Sequence, residues 1–338
     1  MPAPAIAIAG AGSVGCYVGA CLALAGRSVI LLGRDAPMQR IRDHGLRIGD
    51  QDGRDATLAP GRLAASFNPG ALAHAHIVLV TVKSGATAEM AGLIAAHARP
   101  DAVVVSLQNG IGHAETLRTV LGPDRRVLAG MVPFNIVQSV DPDGAPRVHR
   151  ATSGRVHVAA GSPDVTAALD VPGLPVLAHP DMAAVAWGKL ILNLNNALNA
   201  LSGLPLREQL ADRRWRLVLA AQVAEALHVL SRAGVKPARI DGVNPRLVPF
   251  ALRLPDWLFR PVGRSMLAID PRARSSMWDD LELKRTTEIE HLQGAVIALA
   301  ETAGAEAPVS RRIRGLVQVA EAARQGSPRL APEEVLST

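Results

Sequence analysis

The side chains with the most evident chemistry lie in one apolar stretch, residues 186–197, which reads AWGKLILNLNNA. At about 100° of rotation per helical residue, Asn193 lies about 40° to one side of Lys189 and Asn196 about 20° to the other. The three side chains therefore share one predicted helix face, and Asn195 points elsewhere. Because a desolvated lysine readily releases its proton, whereas an arginine does not, Lys189 is interpreted as a chemical amine. The structural alternative is a lysine whose stem packs in the core while its amine reaches water.

A glycine-rich turn lies close to the start of the chain, between an apolar run and the helix-like stretch 16–25. It consists of Gly10, Ala11, Gly12, Ser13, Val14 and Gly15. In such a loop the first glycine permits a tight turn, the second lets a pyrophosphate approach the backbone, and the third lets helix and strand pack closely. The helix N-terminus attracts the phosphates. This context predicts a dinucleotide site, against the alternative of a merely flexible turn.

The end of the second predicted strand indicates which dinucleotide is bound. An NAD enzyme usually has Asp or Glu there, but this chain continues Leu32-Gly33-Arg34-Asp35. A planar guanidinium binds a 2′-phosphate in a bidentate way. The sequence therefore favours NADPH, with Arg34 as a ligand, and Asp35 is predicted to cap the following helix.

A second polar group occurs in residues 275–290. Ser276 and Asp279 match a capping box at the start of a long helix, and Glu288 is placed to pair with Lys284 one turn before it. Local physics alone assigns neither Ser276 nor Glu288 a catalytic role.

These residues must be positioned by regular elements. Short, continuous apolar runs predict strands that are covered on both faces, as in a parallel sheet flanked by helices. The runs are 5–9, 28–32, 77–82, 103–107 and 127–131. Residues 142–173 predict hairpins that finish this domain, including an alternating piece at 155–159. We predict an α/β, Rossmann-type doubly wound domain over 1–179 and an all-helical domain over 180–338.

Four segments of the second domain have helical periodicity. They are 181–201, 212–233, 275–303 and 309–324. Six prolines interrupt residues 236–274, so this stretch is predicted to be broken helix and loop.

Composition excludes several other classes of protein. The 338 residues are 49% apolar and include two cysteines, which excludes a disordered chain and a disulfide scaffold. Cys16 and Cys21 have neither CxxC spacing nor nearby histidines, so they are predicted to be buried packing residues without a metal. Only four of the 36 basic residues are lysines, and the arginines are interspersed with acids, so no nucleic-acid partner is expected. No apolar run approaches membrane-spanning length and no basic region precedes the apolar start, so we expect a cytoplasmic protein.

In this order and spacing the motifs are specific, and the sequence resembles the 2-dehydropantoate 2-reductases, or ketopantoate reductases, over nearly its whole length. The motifs are the glycine loop, Thr81-Val82-Lys83, Gln108-Asn109-Gly110, Trp187-x-Lys189-x-x-x-Asn193 and residues 275–289. The resemblance implies a Rossmann domain, a helical domain and an active site in the cleft between them. It also implies that the glycine loop, Arg34 and Lys83 bind NADPH and that Asn109 touches both cofactor and substrate. In the second domain the resemblance implies that Lys189 donates the proton and that Asn193 and Ser276 hold the substrate. Glu288 is implied to bridge the lysine and the cofactor ribose.

The implied reaction is hydride transfer to the ketone carbon of a 2-oxo acid, with a proton from Lys189 for the oxygen. One family feature is missing, because the asparagine eight residues after the lysine is replaced by Ala197. Asn196 is the candidate replacement, which leaves the choice of 2-oxo acid open. The 236–274 segment is longer than the family leads us to expect, and it could be a lid or a contact surface.

Two other functions compete with this one. β-Hydroxyacid dehydrogenases also place a Lys-x-x-x-Asn pair after a Rossmann domain, but they carry a glycine-rich turn before the lysine that residues 186–188 do not supply. A nonenzymatic NADPH sensor would keep the glycine loop without needing Lys189 beside amides. Helix faces of the second domain leave a homodimer open.

Overall fold

The computed structural model describes residues 5–264 and 273–336. The chain divides into two compact units, Met1–Val185 and Ala186–Thr338. The first unit contains the sheets, and the helices that follow residue 193 belong to the second, so the predicted fold class is confirmed.

The described part of the first unit contains twelve strands. They are β1 (Ile6–Ala9), β2 (Val29–Leu32), β3 (Leu46–Asp50), β4 (Asp55–Leu58), β5 (Ala64–Ser66), β6 (Ile77–Val80), β7 (Val103–Ser106), β8 (Val127–Met131), β9 (Ile136–Val140), β10 (Pro146–Arg150), β11 (Val156–Ala159) and β12 (Val176–His179). The five strands predicted from apolar runs are confirmed to within two residues at either end.

Eight of these strands form one sheet in the order β12-β11-β8-β7-β6-β1-β2-β5. Six neighbouring strands of this sheet, β5, β2, β1, β6, β7 and β8, are parallel. Numbered by their sequence, they have the 3-2-1-4-5-6 order of a Rossmann fold. The order reverses between β1 and β6, which makes the crevice at their carboxyl ends the expected ligand position.

Helices follow the strands of this sheet. They are α1 (Ser13–Leu24), α2 (Asp35–His44), α3 (Thr87–His97), α4 (His113–Leu121) and α5 (Pro163–Leu169). One face of the sheet packs with α1, as in the contact cluster of Ile8 and Leu22, and the other packs with α3 and α4, as in the cluster of Val78, Ile94 and Leu117. Burial on both faces explains why these strands are apolar without alternation.

A second sheet of four strands, in the order β4-β3-β10-β9, was not predicted. Its outer strands are largely exposed, so they lack the continuous apolar character that identified the others. The hairpins predicted for residues 142–173 are found only in part. β10 forms an antiparallel pair with β9 across a short turn, whereas β11 joins the large sheet, antiparallel to β8 and parallel to β12.

Within the described residues, the remaining α-helices are α6 (Met182–Asn193), α7 (Asn195–Ser202), α8 (Leu206–Ala211), α9 (Arg213–Arg232), α10 (Val248–Arg253), α11 (Asp256–Val262), α12 (Ser276–Glu282), α13 (Ile289–Ala303), α14 (Pro308–Ala323) and α15 (Pro332–Leu336). The predictions for 212–233 and 309–324 are confirmed. Those for 181–201 and 275–303 as single helices are wrong, since turns at Leu194 and at residues 283–288 divide them.

Residues 236–264 form short helices and loops, as the prolines predict, while residues 265–272 lie outside the described part of the chain. The Arg216 side chain, which is 1% exposed, holds this segment against α9. Its guanidinium donates to the Leu252 and Leu254 carbonyls and to the Asp256 carboxylate, and it stacks on Phe259.

Candidate active site

The glycine loop follows β1 and leads into α1. Gly10 has φ of +111°, and a Cβ there would lie 2.6 Å from the Val82 nitrogen. A Cβ on Gly15 would lie 2.5 Å from the Gly10 carbonyl oxygen and 2.7 Å from Thr81 Oγ1, so helix and strand pack too closely for a side chain. Thr81 Oγ1 donates to that same carbonyl over 2.7 Å, which ties the loop to the end of β6.

The middle of the loop fits a dinucleotide pyrophosphate. A Cβ on Gly12 would meet nothing within 4 Å, and no side chain caps the start of α1 at this residue. The space above Gly12 and the first amides of a twelve-residue helix are the features that bind phosphate in this fold.

Arg34 lies at the carboxyl end of β2, where it is exposed and immediately precedes α2. The prediction that Asp35 caps α2 is wrong. Arg34 occupies the cap position, Asp35 is the first helical residue, and no side chain makes a capping hydrogen bond. The Asp35 carboxylate lies 3.9 Å from Arg42 instead, in an exposed ion pair.

Lys83 and Asn109 follow the neighbouring parallel strands β6 and β7, and both are exposed. Because β1, β6 and β7 are adjacent and parallel, their carboxyl ends share one edge of the sheet. The fold therefore brings Gly10, Lys83 and Asn109 to the same edge.

Lys189 is 8% exposed and belongs to α6. Burial lowers the pKa of its amine from 10.5 to about 8, while the negative charges of Asp241 and Glu288 act in the opposite direction. The nitrogen is thus held in a desolvated position beside two carboxylates, which favours the chemical interpretation over a lysine whose amine reaches bulk water.

Asp241 was not identified from the sequence. It lies in a tight turn with φ of +48°, where Ile240 bridges to Val243. The sequence feature that points to a close neighbour of α6 is Gly188, because a Cβ at this position would collide with the carbonyl oxygen of Ala238. The glycine before the lysine lets the 238–241 backbone approach α6.

Asn193 is the last residue of α6 and is half-buried. The next asparagines belong to a separate helix, α7, and they differ in role. Asn195 exchanges two hydrogen bonds with Gln209, at 3.1 and 3.2 Å, so its amide is used structurally. Asn196 is half-buried, and its backbone carbonyl accepts from Ser275 Oγ over 3.0 Å.

The capping prediction for Ser276 is wrong by one residue. Ser275 caps α12, since its hydroxyl accepts from the Trp278 amide over 3.2 Å, and its own amide donates to Asn199 Oδ1 over 2.8 Å. Asp279 pairs with Arg274 at 2.7 Å. Ser276 is the first helical residue and is exposed, with the cap function supplied by its neighbour.

Glu288 is half-buried and immediately precedes α13. Its predicted helical pairing with Lys284 is wrong, because Lys284 has φ of +53° and residues 284–288 do not form a helical turn. Glu288 acts on a different cation, because the negative charge of its carboxylate raises the pKa of the Lys189 amine.

Cys16 and Cys21 are buried packing residues, as predicted, and burial raises the pKa values of their thiols to about 12 and about 11. Among residues 5–264 and 273–336, no group of three or more His, Cys, Asp or Glu side chains is placed to hold a metal ion. Within the same residues, none of the helices combines the length and apolar composition needed to cross a bilayer.

Comparison with known proteins places these features in a family. Residues 6–163 match the model described as ketopantoate reductase PanE/ApbA, and residues 181–321 match the model of its C-terminal part. A 2-dehydropantoate 2-reductase of Halobacterium salinarum is 29% identical over 326 residues, which cover 94% of this chain and 98% of the relative.

Solved structures give the same result. A PanE/ApbA family ketopantoate reductase from Ralstonia eutropha JMP134 superposes with a TM-score of 0.78 and 31% identity, covering 95% of this chain and 99% of that one. A D-mandelate dehydrogenase solved with NADH and anilino(oxo)acetate shares the fold, with a TM-score of 0.76, 21% identity, and coverage of 94% and 99%.

The sheet order, the glycine loop and these matches define an oxidoreductase with a Rossmann-type N-terminal part and a helical C-terminal part. More particularly, the chain belongs to the ketopantoate reductase family.

Proposed function

We propose that this protein reduces 2-dehydropantoate to pantoate with NADPH, as a step in the biosynthesis of pantothenate and coenzyme A. The observation that carries the proposal is the buried Lys189 amine, with a pKa lowered to about 8 beside Asp241 and Glu288. Such an amine is mostly protonated near neutral pH and can still release its proton, as is required of the group that protonates the oxygen when a ketone is reduced to an alcohol.

The cofactor, when bound, supplies a hydride to the ketone carbon. The glycine loop offers backbone amides and open space to its pyrophosphate, and Arg34 offers a guanidinium to a 2′-phosphate. By the family resemblance, Lys83 would contribute on the cofactor side, Asn109 would touch both cofactor and substrate, and Glu288 would bridge the lysine and the cofactor ribose.

The rest of the chemistry belongs to the side chains around the substrate. As negative charge develops on the former carbonyl oxygen, the Lys189 ammonium stabilises it and transfers its proton to that oxygen, leaving a neutral amine. Asn193, Asn196 and Ser276 orient the carboxylate and hydroxyl groups of the substrate.

The test is a turnover assay with 2-dehydropantoate and a panel of other 2-oxo acids, each with NADPH and with NADH. The panel includes bulkier 2-oxo acids, since a small, fully buried Ala197 stands where the family has an asparagine. We expect the highest kcat/KM for 2-dehydropantoate with NADPH. Turnover of another 2-oxo acid alone would refute the substrate and keep the reaction class, and NADPH binding without turnover of any would favour a sensor.

A further inference from the structure

Four buried polar side chains in the first unit form a hydrogen-bonded group that the proposed chemistry does not use. They are Ser84, Thr87, Gln108 and His113, and each is between 2% and 7% exposed. We call this group the polar clasp. It joins the segment after β6, which carries Lys83, to the segment after β7, which carries Asn109.

Gln108 makes the first connection between the two segments. Its amide nitrogen donates to the Val82 carbonyl over 3.1 Å and to Thr87 Oγ1 over 2.7 Å. The Thr87 hydroxyl in turn donates to the Ser84 carbonyl over 2.7 Å. The backbone on either side of Lys83 is therefore fixed by the residue that precedes Asn109.

His113 makes the second connection. Its Nε2 lies 2.6 Å from the Asn109 carbonyl oxygen and 3.2 Å from Ser84 Oγ. A carbonyl oxygen can only accept, so Nε2 must carry a proton. Nδ1 faces the Thr87 hydroxyl at the longer distance of 3.5 Å. One buried N–H therefore holds the backbone of Asn109 beside the residue that follows Lys83.

We propose that His113 is a positioning residue for Lys83 and Asn109, acting through its Nε2–H, an inference that rests on the proposed function. Both residues are exposed at the edge of the sheet, and the hydrogen bonds of the polar clasp hold the backbone beside each of them. Loss of the donor leaves the Asn109 carbonyl without this partner and frees the segment to move. A shift of about 1 Å in a positioning group can cost about 10²-fold in rate.

The experiment compares three substitutions at one position. In His113→Gln the side-chain amide nitrogen reaches about as far as Nε2, in His113→Asn it reaches only about as far as Nδ1, and in His113→Leu there is no donor. Ser84→Ala removes the second partner of Nε2 with little change of volume. His97→Gln is the matched control, since His97 is exposed at the end of the neighbouring helix α3.

For each variant the NADPH Kd is measured by fluorescence, kcat and KM with 2-dehydropantoate by NADPH oxidation, and Tm by thermal unfolding. We expect His113→Leu and His113→Asn to lose about 10²-fold in kcat/KM and to bind NADPH more weakly, and His113→Gln to recover most of both. Ser84→Ala should give a smaller loss, and His97→Gln should match the wild type.

If His113 only stabilises the fold, the losses of kcat/KM and NADPH affinity should parallel the decrease in Tm. In that case His113→Gln should be no more active than His113→Asn. That pattern, or a His113→Leu variant within twofold of wild type in both Kd and kcat/KM, would overturn the inference. If the wild type binds NADPH but turns over no 2-oxo acid, the proposed function fails and the Kd series alone decides the role of His113. A wild type that binds no dinucleotide would overturn both proposals.

Discussion

Two opposing effects determine the pKa of the Lys189 amine. Burial destabilises its charged form, and the carboxylates of Asp241 and Glu288 stabilise it, with a net pKa of about 8. An exposed lysine would hold its proton more tightly, and a buried lysine without acidic neighbours would hold it less tightly. The balance gives an amine that is mostly protonated at pH 7 and is still able to transfer its proton.

We predict that Lys189→Ala lowers kcat by about 10²- to 10⁴-fold, the usual contribution of a positioned proton donor, while the NADPH Kd changes little. Lys189→Arg should be nearly as inactive, because the guanidinium keeps the charge but does not release its proton. Steady-state kinetics and cofactor titration measure the two quantities. Lys236→Ala, at an exposed lysine of the same unit, is the control, and an active Lys189→Arg enzyme would disprove the role of proton donor.

The pKa also predicts the pH dependence of the reaction. The protonated amine is the active form, so kcat/KM for the 2-oxo acid should be level at lower pH and fall as pH rises through about 8, by about tenfold per unit above it. The residual activity of Lys189→Ala should lack this alkaline limb. A wild-type profile that stays flat to pH 10 would contradict the assignment.

Arg34 provides the prediction on cofactor choice. Hydrogen bonds to charged groups contribute about 1.5–3 kcal/mol, so Arg34→Ala should weaken NADPH by about 10- to 100-fold. NADH lacks the 2′-phosphate, and its affinity should change little. Arg40→Ala, at an exposed arginine on α2, controls for loss of general positive charge, and an equal loss of both nicotinamides would count against the interpretation of this strand end.

Among the secondary-structure elements, the sequence predicts those strands in which every residue is buried. Strands β1, β6 and β7 are buried at every position, so an apolar run identifies each of them. In the second sheet β4 and β9 are mostly exposed, so their residue pattern does not differ from that of loops. Their pairing is decided by contacts distant in sequence.

The turns that divide the predicted helices at residues 181–201 and 275–303 could not be predicted from local sequence. Leu194 and Lys284 are ordinary helix formers, so their propensities do not indicate a turn. The Leu194 carbonyl accepts a hydrogen bond from the side chain of Gln293, which is distant in sequence. The loop residue Asp241 carries no local signal either, and only the fold places its charge near Lys189. Lys189 itself could be predicted, because a lone lysine in an apolar segment is unusual in any context.

Gly188 tests how the 238–241 segment is held against α6. Helix propensity alone favours alanine over glycine by about 1 kcal/mol, but a Cβ at Gly188 would collide with the Ala238 carbonyl. Gly188→Ala should therefore destabilise the protein and displace Asp241, which lowers the pKa of Lys189 further and moves the alkaline limb to lower pH.

Thermal unfolding and the pH profile of kcat/KM check this prediction. The matched control is Gly315→Ala in α14, where an added Cβ meets nothing within 4 Å and alanine should stabilise the helix. If both substitutions stabilise the protein and the pH profile is unchanged, the close approach of residue 238 to Gly188 is not a constraint.

Over the full chain, most of the residues proposed to bind the cofactor and the residue proposed to donate the proton belong to different compact units. The glycine loop, Arg34 and the polar clasp belong to the first unit, and Lys189, Asn193 and Ser276 belong to the second. Glu288 also belongs to the second unit and is proposed to serve both the lysine and the cofactor. Cofactor affinity and proton transfer should therefore be separable by mutation, even though both are needed for turnover.

Ligand-induced stabilisation measures this separation without any turnover. NADPH at about 100 times its Kd should stabilise the wild type by about 2.7 kcal/mol, since the cofactor binds the folded chain only. At the same concentration, Lys189→Ala should keep nearly the whole rise in Tm, whereas Arg34→Ala should retain only the small rise expected of a tenfold to hundredfold weaker ligand. Because both variants are compared with their own unliganded Tm, any intrinsic loss of stability cancels. A Lys189→Ala protein that loses the NADPH-dependent rise would show that the lysine contributes to cofactor binding, and the division between the two units would be wrong.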